Sequence, residues 1–108
     1  MTLLLLTASL ALPPAQADGA TTFASFCSTC HGSGGKGDGP AAAALTPKPR
    51  DFTAADFWTT RTEEGMKKVI KEGGAASGMS PVMPAWGASL TEAQVDEVLA
   101  FIKTLQGP

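Results

Sequence analysis

The sequence predicts an all-α protein of three or four helices. Two stretches carry apolar residues at the spacing of a helix face, and a shorter one carries them one turn apart. No stretch shows the alternation of apolar and polar residues that is typical of a half-buried strand. The chain also contains twelve glycines and eight prolines. It therefore has long irregular segments, which need something to fold around.

The chain begins with a segment typical of a secretory signal peptide. An apolar run of about ten residues from Leu3 is followed by a small-x-small triplet that ends at Ala17, and we expect cleavage after that residue. The run has about half of the roughly 20 residues that span a membrane, so an uncleaved anchor is the less favoured alternative. We therefore predict a signal peptide, residues 1–17, and one periplasmic domain, residues 18–108, that does not span the membrane.

The first helix is predicted over residues 21–30, "TTFASFCSTC". Phe23 and Phe26 lie one turn apart, and Cys27 and Cys30 continue the same face. The following segment, "HGSGGKGDGPAAAALTPKPRDF", has no helical period until its alanines. Its glycines allow positive φ and close backbone approach, as a chain that wraps a ligand requires.

The second helix is predicted over residues 60–72. Thr60 and Glu63 are spaced as a capping box, and Gly73 is a natural end. One face of this helix carries an apolar stripe, which consists of Met66, Val69 and Ile70.

The strongest helix signal is "LTEAQVDEVLAFIKTLQG" at the end of the chain. Thr91 and Gln94 predict a capping box, Leu90 and Val95 predict a hydrophobic staple, and Gly107 predicts the end of the helix. One face is apolar along its length and consists of Val95, Val98, Leu99, Ile102 and Leu105.

Size and charge limit the classes of function. A domain of this size buries little apolar surface, and the chain has only five Phe, two Trp and no Tyr. Such domains usually need a disulfide, a metal or another staple. The formal net charge is −2, with acidic and basic residues interspersed, which argues against nucleic-acid binding through a basic patch. Composition therefore predicts an exported domain built on a cofactor.

The motif Cys27-Ser28-Thr29-Cys30-His31 contains both cysteines and the only histidine of the chain. A disulfide is possible in an oxidising compartment. Redox CxxC sites of the thioredoxin type, however, belong to βαβ patterns, which are missing here. A structural zinc site needs four protein ligands and a catalytic one needs three, so a structural zinc site would need a carboxylate as well.

Covalent haem accounts for the spacing of the motif better than either alternative. In a C-x-x-C-H motif both thiols add to the haem vinyl groups as thioethers, and the adjacent histidine is an axial ligand of the iron. One helical turn places Cys27 and Cys30 at one edge of the macrocycle, with His31 under its centre. We therefore predict one covalently attached haem c.

The predicted domain resembles small class I bacterial c-type cytochromes over essentially its whole length. Gly19 and Phe23 stand eight and four residues before Cys27, as in the first helix of that family. "CSTCHGSGGKGDGPAA" is similar to its attachment loop and "LTPKPRDF" to the turn that follows. "VMPAWGASLTEAQVDEVLAFIKTL" is similar to its sixth-ligand loop and closing helix. The resemblance implies a class I cytochrome c fold, with three to four helices wrapped around one covalently bound haem.

The resemblance also implies roles for single residues. The first and last helices of the family cross tightly, and Gly19 would let Phe101 approach at that crossing. The carbonyl of Pro40 would accept a hydrogen bond from the ring N–H of His31 and so fix the imidazole.

Two methionines compete for the other axial position of the iron. Met79 and Met83 share the segment "GGAASGMSPVMPAWG", whereas Met66 lies on an apolar stripe where a core role is favoured. We prefer Met83 because Pro84 fixes the chain beside it, and because MPAW is the context that the family uses. The predicted cofactor-binding residues are Cys27, Cys30, His31 and Met83, and the predicted iron ligands are His31 and Met83.

The residues around the predicted haem carry weaker expectations. Trp86 is expected to pack at the haem edge, and Phe52 and Trp58 to belong to the pocket wall or the core. Basic residues could surround the exposed haem edge and steer an acidic partner, but an ordinary solvated surface is the preferred interpretation. These basic residues are Lys36, Lys48, Arg50, Lys67, Lys68 and Lys71.

A haem iron bound by His and Met suits single-electron transfer. The soft thioether raises the reduction potential, and filled coordination leaves no open site for oxygen or peroxide. The sequence therefore predicts a soluble periplasmic monohaem carrier, not an enzyme, which is a monomer and contacts its redox protein partners transiently. Two alternatives stay open. One is a haem domain with a labile methionine that acts as a gas sensor or peroxidase, and the other is a fixed electron-entry subunit of a larger oxidoreductase.

Overall fold

The computed structural model describes residues 3–4 and 15–107, and this part of the chain is helical and has no strand. The α-helices, in chain order, are α1 (Ala15–Phe26), α2 (Ser28–His31), α3 (Ala55–Thr59), α4 (Glu63–Glu72) and α5 (Glu92–Lys103). Short 3₁₀ helices lie at Ala42–Ala44 and Ala75–Ser77. The all-α prediction is confirmed. The described helices outnumber the predicted three or four because α2 and α3 are single turns.

The predicted signal peptide, residues 1–17, falls largely outside the described residues. Cleavage after Ala17 therefore stays a prediction. Among the described residues, no helix is both long enough and apolar enough to cross a membrane.

Helices α1 and α5 cross at a glycine. A Cβ on Gly19 would collide with the carbonyl oxygen of Glu97 and would lie 3.0 Å from the Cβ of Phe101. Glycine alone lets the two backbones approach this closely. Beside the crossing, Phe23 is 1% exposed, and its ring centroid lies 5.2 Å from that of Phe101. The predicted contact between Gly19 and Phe101 is confirmed.

The first predicted helix is divided at the motif. α1 ends at Phe26 and α2 begins at Ser28, so Cys27 lies at the junction between them. The carbonyl of Cys27 still accepts from the N–H of His31 at 2.9 Å. This bond keeps the motif in one helical turn, as predicted, although the helix around it is not continuous.

The predicted start of α4 is wrong. The helix is capped by Thr62, whose hydroxyl accepts from the backbone N–H three residues on at 3.0 Å. The hydroxyl of Thr60 instead donates to the carbonyl of Asp56 at 3.2 Å, at the end of α3. The predicted capping box of Thr60 with Glu63 therefore does not form, because α3 occupies that stretch. The predicted end at Gly73, with φ +86°, is confirmed.

Helix α5 begins as predicted. The Thr91 hydroxyl accepts from the N–H of Gln94 at 3.2 Å, and the Gln94 side chain accepts from the N–H of Thr91 at 2.9 Å. These two bonds confirm the capping box. Leu90 and Val95 are both buried, as the predicted staple requires.

Helix α5 ends earlier than predicted, at Lys103. The N–H groups of Thr104 and Leu105 bond to the carbonyls three residues before them, which tightens the last turn and ends the helix. The N–H of Gly107 donates to the carbonyl of Thr53 at 3.0 Å. The predicted stop residue therefore holds the end of the chain against the loop before α3.

The apolar core involves α1, α4 and α5. Its buried members are Phe23, Phe52, Met66, Ile70, Leu90, Val95, Val98, Leu99 and Ile102. The core role of Met66 is thus confirmed. At the surface, Lys67 of α4 pairs with Asp96 of α5 at 2.9 Å, and Lys71 pairs with Glu92. These pairs support the solvated-surface interpretation for both lysines.

Candidate functional site

A cavity of about 740 Å³ lies beside the core. Each of the five helices contributes side chains to its wall, and apolar residues predominate there. All four predicted cofactor-binding residues line it, namely Cys27, Cys30, His31 and Met83, and so does Met79, the less favoured methionine. Cofactor and ligand pockets have volumes of about 300–1,000 Å³. The fold therefore brings the cysteine–histidine motif and the methionine loop to one pocket of suitable size.

Cys27 and Cys30 are free thiols at the wall of this cavity, and both are half-buried. Burial raises the pKa of the Cys27 thiol to about 11, and the charge of the neighbouring Cys30 adds to the rise. At neutral pH the free Cys27 is therefore a protonated thiol, which does not suit a redox nucleophile. In the part of the chain that the structure describes, no three His, Cys, Asp or Glu side chains are grouped to hold a metal ion.

The imidazole of His31 is oriented by the loop that precedes α3. Its ring stacks on that of Phe52, with centroids 4.6 Å apart and planes at 20°. Its Nδ1 lies 3.4 Å from the carbonyl oxygen of Arg50. Because a carbonyl can only accept, the Nδ1 atom carries the proton and the Nε2 atom keeps its lone pair. Burial lowers the pKa of His31, opposed in part by the Arg50 hydrogen bond, so the imidazole is neutral at pH 7.

The expected partner of the His31 ring was wrong. The resemblance implies the carbonyl of Pro40, whereas the structure places that of Arg50 at Nδ1. The reason lies in the glycine-rich loop, which packs back on the segment before Phe52. A Cβ on Gly37, whose φ is +77°, would collide with the carbonyl of Pro49. This close approach brings the neighbouring Arg50 carbonyl to the imidazole.

The two methionines lie in one loop, residues 74–87, which is fixed at both ends. The N–H of Gly74 donates to the carbonyl of Met83 at 3.0 Å, and the N–H of Trp86 donates to the carbonyl of Ile70 at 2.9 Å. The two sulfur atoms differ in their surroundings. Arg61 Nη1 lies 3.8 Å from Sδ of Met79, whereas no described residue bonds to Sδ of Met83.

The aromatic residues divide between the cavity and the core. Trp86 lines the cavity, with its ring centroid 5.2 Å from that of Phe26. Phe52 also lines the cavity and is buried. Trp58 packs on the core, and its Nε1 donates to the carbonyl of Phe52 at 2.7 Å. Phe52 therefore belongs to both the cavity wall and the core, and the hydrogen bond from Trp58 holds the backbone of Phe52 in place.

Sequence reasoning missed Arg61, which lines the cavity just before α4. Its Nε atom is buried and has no hydrogen-bond partner among the described residues. Nothing in the local sequence distinguishes Arg61 from an exposed arginine, because its burial results from the packing of α3 and the methionine loop around it.

Comparison with known proteins decides the family. A family model described as "Cytochrome C oxidase, cbb3-type, subunit III" matches residues 14–102. The chain belongs to this family. Cytochrome c-554(547) of Halothiobacillus neapolitanus is 32% identical to it over 92 residues, which cover 83% of this chain and 96% of that protein. The cbb3-type cytochrome c oxidase subunit FixP of Azorhizobium caulinodans is 31% identical over 94 residues. That match covers 87% of this chain and 28% of FixP.

Solved structures show the same fold. A chain of the Kuenenia stuttgartiensis reducing HAO-like protein complex Kustc0457/Kustc0458 superposes with a TM-score of 0.66 and 27% identity, over 82% of this chain and 41% of that one. The KustC0563 c-type cytochrome superposes with a TM-score of 0.68 and 21% identity, over 82% of this chain and 98% of that one. The chain thus spans less than half of FixP and of the HAO-like complex chain.

The chain is accordingly a small monohaem c-type cytochrome of class I type, with covalently bound haem c and a role in electron transfer. The predicted family, fold and cofactor are confirmed. The cavity of this cytochrome fits that group, because free thiols, a neutral imidazole and thioethers line one apolar pocket. The unpartnered Nε of Arg61 at the same wall is a further sign that a ligand with an acceptor group belongs there.

Proposed function

We propose that this chain is a periplasmic carrier of single electrons that holds the haem iron between His31 and Met83. The observation that carries the proposal is that a neutral imidazole and a thioether without a hydrogen-bond partner among the described residues line the same cavity. A bound haem c supplies the Fe(III)/Fe(II) couple. The chain would supply the thioether attachment, the two protein ligands of the iron and an apolar enclosure.

Cys27 and Cys30 would hold the haem, each through one thioether bond to a former vinyl group. The bond from the His31 N–H to the Cys27 carbonyl holds the three residues of the motif in one turn. The half-buried position of Cys27 at the apolar wall suits a thioether, because a thioether has no charge to solvate.

His31 would bind the iron through Nε2, since the Arg50 carbonyl holds the proton on Nδ1. Met83 is the better of the two thioether ligands, because the guanidinium of Arg61 occupies the neighbourhood of the Met79 sulfur. A soft thioether favours ferrous iron and raises the potential. With His31 and Met83 as its two protein ligands, the iron would have no open site for a substrate, which supports a carrier over an enzyme.

Visible spectroscopy of the purified protein tests the ligation. We expect a reduced c-type spectrum, a ferric methionine–sulfur charge-transfer band and no response to carbon monoxide. Met83→Ala should remove the band and allow carbon monoxide to bind. It should also lower the midpoint potential by at least about 59 mV, which corresponds to a tenfold change in the equilibrium constant of a one-electron reduction. The matched control is Met79→Ala, which should keep the band.

Two results would contradict this assignment. If Met79→Ala loses the band and Met83→Ala keeps it, the iron ligand is Met79 and not Met83. Rapid binding of carbon monoxide to the unmodified protein would favour the alternative of a labile methionine and a sensor or peroxidase role.

A second candidate function is that of a fixed electron-entry subunit of a larger oxidoreductase. The observation that favours it is that two proteins similar to this chain are named as parts of larger assemblies, namely the cbb3-type cytochrome c oxidase subunit FixP and a chain of the reducing HAO-like protein complex. Gel filtration of a periplasmic extract separates the two functions. A free carrier elutes as a monomer whose sequence begins at Asp18, whereas a subunit co-elutes with a larger complex or stays with the membrane.

A further inference from the structure

Two contacts of unequal strength hold the imidazole of His31. Its Nδ1 atom lies 3.4 Å from the carbonyl oxygen of Arg50, whereas N–H···O hydrogen bonds in proteins usually measure about 2.7–3.2 Å. The ring of Phe52 stacks on the imidazole, with centroids 4.6 Å apart and planes at 20°. The torsion that turns an imidazole about its Cβ–Cγ bond has broad minima, so the side chain does not fix its own plane. The long hydrogen bond selects the tautomer of His31, and the stack is the contact that fixes the plane of the ring.

Phe52 is held in place independently of His31. It is 7% exposed. Its N–H donates to the carbonyl of Gly35 at 2.7 Å, and its carbonyl accepts from Nε1 of Trp58 at 2.7 Å. Its ring meets those of Phe57 and Phe23 edge-on, at centroid distances of 5.2 and 6.4 Å. Both the backbone and the ring of Phe52 are therefore fixed, as is required of a residue that orients another.

The glycine-rich loop is shaped around the same ring. A Cβ on Gly35, whose φ is +73°, would lie 3.2 Å from Cδ2 of Phe52 and 2.6 Å from Cδ1 of Leu105. Glycine adopts this φ without strain and leaves the space that the ring occupies. A side chain at position 35 would instead press on the ring that contacts His31.

We propose that Phe52 is a positioning residue for His31, and that its ring fixes the plane in which the imidazole binds the iron. The inference rests on the proposed function, because it takes His31 as an iron ligand. Groups that contact a metal-bound imidazole from outside set its orientation and thereby tune the metal. A stacked phenyl ring does this without adding a charge or a hydrogen bond.

Phe57 provides an internal comparison. It lines the same cavity and packs on the same core, and its ring contacts those of Phe52 and Trp58. Among the described residues, however, it is the Phe52 ring that stacks on His31. Replacing either phenylalanine by leucine removes the same atoms from the same wall, but only one of the two replacements removes the stack.

The test is proton NMR of the ferric holoproteins of Phe52→Leu, Phe52→Tyr and the matched control Phe57→Leu. The haem-methyl shifts of a low-spin ferric haem depend on the orientation of its axial ligands, so they report the plane of the imidazole. We expect Phe52→Leu to change the order or the spacing of these shifts. Phe57→Leu should keep the order of the unmodified protein, and so should Phe52→Tyr, which retains the stacked ring. Both leucine variants lose stability because each leaves space in the core, so stability does not distinguish them.

A measurement on the unmodified protein keeps the test available where Phe52→Leu assembles no haem. In the diamagnetic ferrous state, the ring protons of Phe52 and His31 should show nuclear Overhauser contacts with each other. The absence of these contacts would overturn the proposal. A Phe52→Leu protein with the methyl shifts of the unmodified protein would overturn it as well.

The same spectra distinguish a failure of this proposal from a failure of the proposed ligation. The ring current of the macrocycle shifts the protons of an iron-bound imidazole strongly upfield in the ferrous state. Unshifted His31 protons would therefore contradict the ligation by His31 itself. Shifted His31 protons without contacts to Phe52 would leave that ligation intact and overturn only the role of Phe52.

Discussion

The α1–α5 crossing and the methionine loop, residues 74–87, are stabilised in different ways. At the crossing the chain meets itself, with the backbone of Gly19 against α5 and Phe23 and Val98 almost without exposure. In the loop, backbone hydrogen bonds fix the two ends while the methionine side chains face the cavity. Direct contact between two backbones thus fixes the crossing, whereas the loop is fixed by hydrogen bonds at its ends and by what its cavity-facing side chains contact. Phe23 and Val98 also line the cavity, so the haem-facing side of the crossing depends on the bound group as well.

The largest expected effect comes from removing both attachment points. In Cys27→Ala/Cys30→Ala we expect no covalent haem and a chain that is largely unfolded, because a cavity of about 740 Å³ then lacks its attached occupant. A domain of this size has little core to offset that loss. Circular dichroism and a haem stain on a denaturing gel measure the two consequences.

The single variants are the controls for this experiment. Cys27→Ala and Cys30→Ala should each retain one thioether and an intermediate stability. A double variant with native helix content and a cooperative unfolding transition would show that the crossing folds alone, and the dependence on haem would be wrong.

The next effect concerns the crossing itself. Gly19→Ala places a Cβ against the carbonyl of Glu97 and 3.0 Å from the Cβ of Phe101, so the helices must separate. We expect a loss of about 1–3 kcal/mol in the free energy of unfolding, even though alanine is the better helix former. Denaturant unfolding of the holoprotein measures it.

Gly34→Ala is the matched control for Gly19→Ala. A Cβ at Gly34 meets nothing within 4 Å, so its effect should stay within about 0.5 kcal/mol. Equal stabilities of the two variants would mean that the crossing tolerates a methyl group and is looser than its geometry indicates.

The start of α5 could be predicted in detail from local signals, whereas the crossing of α1 and α5 was implied by the resemblance to class I cytochromes. The capping box of Thr91 and Gln94 and the staple of Leu90 and Val95 each depend on a few neighbouring positions. The end of α5 was missed because its last turn tightens at Thr104, and no residue type there forbids a longer helix.

The cavity could be predicted only in part. The spacing of Cys27, Cys30 and His31 indicated the haem site, and the resemblance to class I cytochromes implied that the methionine loop would lie at the same site. The carbonyl at the His31 ring and the burial of Arg61 depend instead on how the glycine-rich loop and α3 pack across the fold. Such contacts join residues far apart in sequence, and no periodic pattern encodes them.

The smallest expected effect tests the corrected start of α4, where the two regions meet. The helix reaches α5 through its ion pairs, and its first turn borders the cavity through Thr62 and Gly65. Thr62→Ala removes the oxygen that accepts a hydrogen bond from the N–H of Gly65 at 3.0 Å. We therefore expect the free energy of unfolding, measured by denaturant unfolding, to fall by about 1 kcal/mol. Thr60→Ala is the control, because its hydroxyl bonds only to exposed carbonyls at the end of α3. A greater loss of unfolding free energy in Thr60→Ala would favour the capping box predicted from the sequence. A loss in Thr62→Ala that appears only in the protein with bound haem would mean that the cap stabilises the helix through the haem pocket.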